Sequence, residues 1–223
     1  MKMSLPLAAA LALLAPVALS AQQPAQQAPQ QPMSFFVTSV GKGDGANLGG
    51  LAGADAHCTA LANAAGSTGK TWHAYLSTLP AGATAGVNAR DRIGAGPWYN
   101  SKGTLIAWNV ADLHGDVQRD RNAVNKLNSL DEKGNQMKGV GDTPNQHDML
   151  TGSDSGGRAI LGTAPNTTCN NWTSNQVGSA MLGHMDRLGG GNTSWNAAHM
   201  SRDCTQAGLV ATGGAGLFYC FAI

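Results

Sequence analysis

The sequence predicts one loop-rich domain of mixed helix and strand, carried behind an export leader and a polar tail. Three observations lead there. At 223 residues the default is one domain plus a tail, and a chain of this size can bury a core of its own. Only 12% of residues are charged, against 30 glycines and abundant Asn, Thr and Ser, which is the composition of a loop-rich extracellular domain. The cysteines number 4, and an even count in an exported chain favours two disulfides.

The leader comes first. Lys2 precedes an apolar run from Leu5 to Leu19 that is interrupted by Pro6 and Pro16. This reads as a signal peptide over residues 1–21, cut near Ser20 or Ala21. The run is too short and too interrupted for a membrane span. No cysteine follows the cut, so a lipid-anchored form is not expected. Residues 22–33 are Gln, Pro and Ala almost throughout and read as a disordered spacer before a domain over 34–223. Secretion or a periplasmic location follows. With 14 basic and 13 acidic residues and no basic run, nucleic acid and anionic membrane surfaces lack their usual electrostatic footprint.

Ser34 to Val40 is rich in β-formers and opens the domain as a strand. Leu51, Ala54, Cys58, Leu61, Ala62 and Ala65 then recur at helical spacing, with Asp55 in the first turn and Gly66 as the stop. Cys58 falls on the buried face, and His57 on the solvated one. Trp72, Ala74 and Leu76 alternate with Thr71, His73 and Tyr75 as a half-buried strand. Further strands are expected at Leu105–Trp108, after a turn at Lys102-Gly103, and at the closing run Leu217–Phe221. Between them, Asp131-Glu132-Lys133-Gly134 reads as an exposed turn.

Several chemistries lack their residues. Gly66-Ser67-Thr68-Gly69-Lys70-Thr71 is not a phosphate loop, because the required first glycine is Ala64 and a helix rather than a strand precedes it. The 6 histidines show no His-x-x-x-His or His-Glu-x-x-His spacing, so no metal is expected. A Gly-x-Ser-x-Gly elbow is absent, and Glu132 is the only glutamate, so paired carboxylates would have to be aspartates. No enzyme and no cofactor are expected.

The order of the pieces is more specific than any one of them. Gly50-Leu51-Ala52-Gly53-Ala54-Asp55 with Cys58 is followed by Trp72-His73-Ala74-Tyr75-Leu76-Ser77 and Ala89-Arg90-Asp91-Arg92-Ile93. Gly152-Ser153-Asp154, Gly157-Arg158, Cys169-x-x-Trp172, Cys204 and Tyr219-Cys220 complete the series. This order resembles the endostatin-like branch of the C-type lectin-like fold, and within it bacterial secreted or lipoprotein members known as a domain of unknown function. The resemblance implies an α+β domain with paired first and last strands, long loops on one side and nested disulfides Cys58–Cys220 and Cys169–Cys204. The cysteine count alone leaves three connectivities open. Where calcium-dependent lectins of this fold have two acid-containing triplets, this chain has Ala164-Pro165-Asn166 and Trp195-Asn196-Ala197, each with alanine in place of the acid. Calcium wants six to eight hard oxygen ligands, so a full calcium site is not expected. Endostatin's zinc histidines and arginine-rich heparin surface also have no counterpart.

Two readings of function remain. In the first, the domain is a non-catalytic binding module for glycans: Trp172 and Trp195 stack on sugar faces, and Asp154, Arg158, Asn170, Asn171 and Asn196 offer hydrogen bonds from the loops around 151–158, 166–175 and 189–196. In the second it is a structural or protein-interaction domain of the cell envelope. Both tryptophans then belong to the core, the asparagines bond their own backbone, and Asp154 orders its loop through an ion pair with Arg158. Burial of Trp195 discriminates between them.

Overall fold

Near the C-terminus Gly214–Ala222 forms the strand on which the sheet is built. The computed structural model describes residues 30–116, 122–162, 166–176, 178–190 and 192–223. The expected leader and the spacer up to residue 29 lie outside the described residues. In chain order the strands are β1 (Phe35–Val37), β2 (Trp72–Ala74), β3 (Trp98–Tyr99), β4 (Leu105–Ala107), β5 (Asp148–Leu150), β6 (Met181–His184), β7 (His199–Met200) and β8 (Gly214–Ala222). Helical segments are α1 (Gly50–Ala64), α2 (Val110–His114), α3 (Cys169–Trp172) and α4 (Gln206–Ala211). The class is α+β.

The main sheet runs β1-β8-β5-β6-β7, with β2 also pairing β8. First and last strands do pair: Phe35, Phe36 and Val37 face Phe221, Cys220 and Tyr219 in antiparallel register. β8 is apolar without interruption because both of its faces are covered, which removes any polar alternation. Phe218 and Cys220 enter one core with Cys58, Trp72, Leu76 and Trp172. Leu217, Tyr219 and Phe221 enter another with Tyr75, Trp98 and Trp195. This is the period of two of a strand read on both sides.

Helix α1 lies where its spacing placed it, with Ala54, Cys58 and Ala62 buried. Cys58 joins Cys220 and Cys169 joins Cys204, the pairing that the family resemblance implied. Asp55, expected in the first turn, lies beyond it because α1 begins at Gly50 and has no acidic residue in its first turn. Its carboxylate instead accepts from Ala74 N at 2.8 Å and pairs with Arg92 at 2.7 Å, tying α1 to β2 and the following turn.

Three local expectations need correction. Tyr75 is fully buried rather than on an open strand face, because the second core closes over that side. Asp131 and Glu132 are buried within their turn, and Glu132 accepts from both the backbone and the hydroxyl of Ser39 at 3.1 and 2.6 Å. His57 is partly covered and bonds Val40 O at 2.8 Å, so it seats the loop before α1 rather than facing solvent.

Candidate metal centre

The side chains expected to contact glycans are mostly occupied by the fold. Trp172 and Trp195 are 0% and 1% exposed, so neither has a face open to a sugar. Trp172 donates its indole N–H to Ser77 O at 2.8 Å. Asn171 grips the backbone of Leu79 through both ends of its amide, at 2.8 and 2.9 Å. These bonds hold a left-handed turn, since Cys169, Asn170, Asn171 and Trp172 have φ of 46, 56, 54 and 68°. Left-handed backbone costs a non-glycine residue about 1–2 kcal/mol, and the disulfide with the two side-chain anchors offsets it. Only Asn170 of this group is exposed, and it bonds Thr173 Oγ1.

Asn196 is buried, and its amide donates to Tyr75 Oη at 2.9 Å and to the carbonyls of Asp154 and Ser155. Tyr75 in turn meets His114 Nε2 at 2.7 Å. Asp154 orders its loop by accepting the backbone N–H of Arg158 at 2.8 Å, not through the expected ion pair. The Arg158 side chain is exposed. Loops 151–158 and 169–172 do come together at Ser77, whose hydroxyl meets Ser153 at 2.8 Å. Ala164 and Pro165 lie outside the described residues.

A different set of side chains is gathered without being satisfied. In the antiparallel ladder Asp148 of β5 faces His184 of β6, and Leu182 of β6 faces His199 of β7. Paired residues share a sheet face, as do residues two apart on one strand, so Asp148, His184 and His199 project together. His147 precedes β5 and lies outside the ladder, which frees its ring to turn to the same side. The Nε2 atoms of His147, His184 and His199 lie 3.3, 3.4 and 3.4 Å from one oxygen, Asp148 Oδ1. None of these contacts is a hydrogen bond in its angles, and both Asp148 oxygens and both His184 nitrogens are left without a partner. The Leu188 backbone and the Thr212 hydroxyl come near His184 and Asp148 without reaching hydrogen-bonding geometry. His147, Asp148 and His184 are 5%, 2% and 2% exposed, whereas the His199 side chain is 39% exposed.

The surroundings orient the rings. His147 Nδ1 meets Asp186 Oδ1 at 3.1 Å, and His199 Nδ1 meets Met200 O at 3.0 Å. An N–H on each Nδ1 leaves each Nε2 lone pair pointing inward, the tautomer a metal requires. Asp186 is itself fixed by the backbone N–H groups of Val140 and Leu188 at 2.8 and 3.0 Å. Burial, then the neighbouring histidines, push His184 down to about 4, so it is a neutral ligand at neutral pH. Burial raises Asp148. Burial would lower His147, but Asp186 and Asp148 outweigh it and the net direction is upward.

Three of these groups already suit one ion: the ligand atoms of His147, Asp148 and His184 all lie within 4.8 Å of one another. Bonds of about 2.0–2.1 Å to nitrogen and oxygen place tetrahedral ligands about 3.3–3.4 Å apart, the spacing from Asp148 Oδ1 to each of the three Nε2 atoms. His199 falls outside the mutually close group, so its half-open ring must turn inward to complete a tetrahedron. The rings of His147 and His184 are stacked with centroids 4.2 Å apart, closer than the 5.0 Å between His184 and His199, and that first pair must splay slightly to radiate from one centre. Two buried carboxylates, Asp148 and Asp186, balance a divalent charge, while three nitrogen donors disfavour calcium and magnesium. Sequence reasoning missed the cluster because its members are separated by 36 and 15 residues along the chain, counting from Asp148 to His184 and from His184 to His199. Only strand pairing brings them together. The chain matches no protein-family model and no curated protein.

Proposed function

We propose that this protein is an exported, non-catalytic domain that binds one divalent transition-metal ion through His147, Asp148, His184 and His199. The observation that carries the reading is the convergence of three imidazole nitrogens on one unpartnered, buried carboxylate oxygen. His147, Asp148 and His184 form the mutually close set. With His199 turned in from 3.4 Å off Asp148 Oδ1 as the fourth ligand, no position is left for a reacting water, which is the arrangement of a structural or storage site rather than a catalytic one. Two disulfides support an oxidising compartment. Among the described residues no helix is long and apolar enough to cross a membrane.

The test is titration of the chelator-treated protein with zinc by calorimetry and with Co(II) by absorption. One equivalent of each is expected, with the intense visible bands of tetrahedral Co(II), and His184→Ala should lose both. Failure to bind either ion overturns the reading. A glycan-binding reading keeps one observation: Trp108, which was expected only as the end of a strand, is 60% exposed beside a cavity of about 250 Å³ lined by Ile106, Asp112 and Ala123. A glycan array probed with the wild type and Trp108→Ala tests it, and an array without a Trp108-dependent signal removes it.

A further inference from the structure

We infer that the bound ion is zinc, and that it fastens the edge strand β7 to the sheet with His199 as the ligand that admits and releases it. This rests on the metal-binding reading above and adds the ion's identity, its route and its consequence. His147, Asp148 and His184 are gathered within 4.8 Å of one another, and His199, next to Asp148 Oδ1 at 3.4 Å, completes a shell of imidazoles and one carboxylate by turning its ring inward. Nitrogen and carboxylate oxygen are usual zinc donors, and a d¹⁰ ion accepts tetrahedral geometry without electronic cost.

The route follows from exposure. Three ligands sit on or beside the interior strands β5 and β6 and are nearly closed to solvent, whereas the His199 side chain is 39% open. Only that ring can swing outward without repacking a core. The consequence follows from topology. β7 is two residues long, lies at the end of the sheet and pairs only with β6. Both of its residues are merely half-buried. The chain is anchored on either side, by buried Trp195 and Asn196 before it and by the Cys169–Cys204 bond after it. Between those anchors the strand has two ladder pairs, continued by Ala198 N to Leu182 O and Ser201 N to Ala180 O, with Ala180 N donating to the buried Ser201 hydroxyl at 2.9 Å and His199 meeting Asp148 and the ring of His184. So short an edge strand opens locally at low free-energy cost. An ion held jointly by β5, β6 and β7 makes opening conditional on breaking a metal–nitrogen bond.

Hydrogen exchange on the full chain, metal-free and zinc-loaded, tests this alongside zinc calorimetry. Zinc is expected to slow exchange across residues 198–201 at least tenfold, by more than it slows β1 and β8. His199→Ala should still take up zinc through the other three ligands, at least about 10–100-fold more weakly, since loss of even an outer partner costs that much. At saturating zinc this variant should show no slowing at 198–201, and His199→Gln should behave the same way. If zinc binds stoichiometrically and leaves 198–201 unchanged, or protects them equally in both variants, the fastening role is overturned while metal binding stands. If zinc does not bind at all, both fall.

Discussion

Two buried polar regions of this domain look alike in composition and differ in how their hydrogen bonds are settled. Around Tyr75, Asn196 and Asn171 the amide and hydroxyl groups are matched to named partners: Asn196 donates to Tyr75, Asp154 and Ser155, and Asn171 holds both backbone groups of Leu79. Around Asp148 and His184, groups as buried as Tyr75 and Asn196 face one another with nothing in reach at hydrogen-bonding geometry. A satisfied network rigidifies a fold. An unsatisfied one is costly in a low-dielectric interior unless something else is bound there. The difference separates scaffold from site here, and residue type alone does not, since asparagine and tryptophan looked the more ligand-like.

Trp195 covers the satisfied region. Its ring packs on Tyr75, Tyr219 and His114, with centroids 4.9, 5.3 and 5.8 Å apart. Trp195→Ala should therefore cost about 3–5 kcal/mol in denaturant unfolding. A loss below about 1 kcal/mol would show that the side chain is not a core element.

Zinc provides the next effect. At a free concentration about a thousand times the dissociation constant, it should add about 4 kcal/mol to stability. In a domain of this size that raises Tm by roughly 8–16 °C. His184→Ala should abolish the rise and Asn171→Ala should not. A rise of equal size in both variants would place the ion elsewhere.

Asn171→Ala itself should cost about 1–3 kcal/mol, because the amide N–H and carbonyl of Leu79 lose their partner. Thermal unfolding without metal measures it, and Asn171→Asp should recover only the bond from Leu79 N–H. An unchanged Tm for Asn171→Ala would reduce this residue from clamp to bystander.

The smallest effect falls at Asp148. In metal-free protein, Asp148→Asn should be neutral or stabilising by up to about 1 kcal/mol, since removing a buried, unpartnered charge relieves desolvation. The same variant should bind zinc far more weakly. If Asp148→Asn destabilises the metal-free protein by several kcal/mol, the carboxylate is a structural ion-pair partner of the histidines and not a waiting ligand.

Much of the scaffold was legible along the chain because it is local. The spacing of Ala54, Cys58 and Ala62 prescribes a helix with Cys58 inward, and α1 has that face buried. Trp72, Ala74 and Leu76 alternate as a strand must, and all three are buried. Tyr75 was misplaced because alternation assumes one wet face, and only the arrangement of layers shows that both faces of this sheet are covered.

Nearest-neighbour periodicity and composition prescribe the helix, the strand-forming runs and the low charge. The paired end strands and the nested Cys58–Cys220 and Cys169–Cys204 bonds were carried by the resemblance in the order of its motifs, and the structure has both. Which polar residues are spent on the fold and which remain available depends on contacts between segments far apart in the chain. Asn171 and Trp172 are consumed by backbone groups 92 and 95 residues away. The gathering of His147, Asp148, His184 and His199 depends on the register of three strands, and a shift of one residue in either ladder would turn the side chains to opposite faces. Register is a property of the assembled sheet, and no spacing along the chain encodes it.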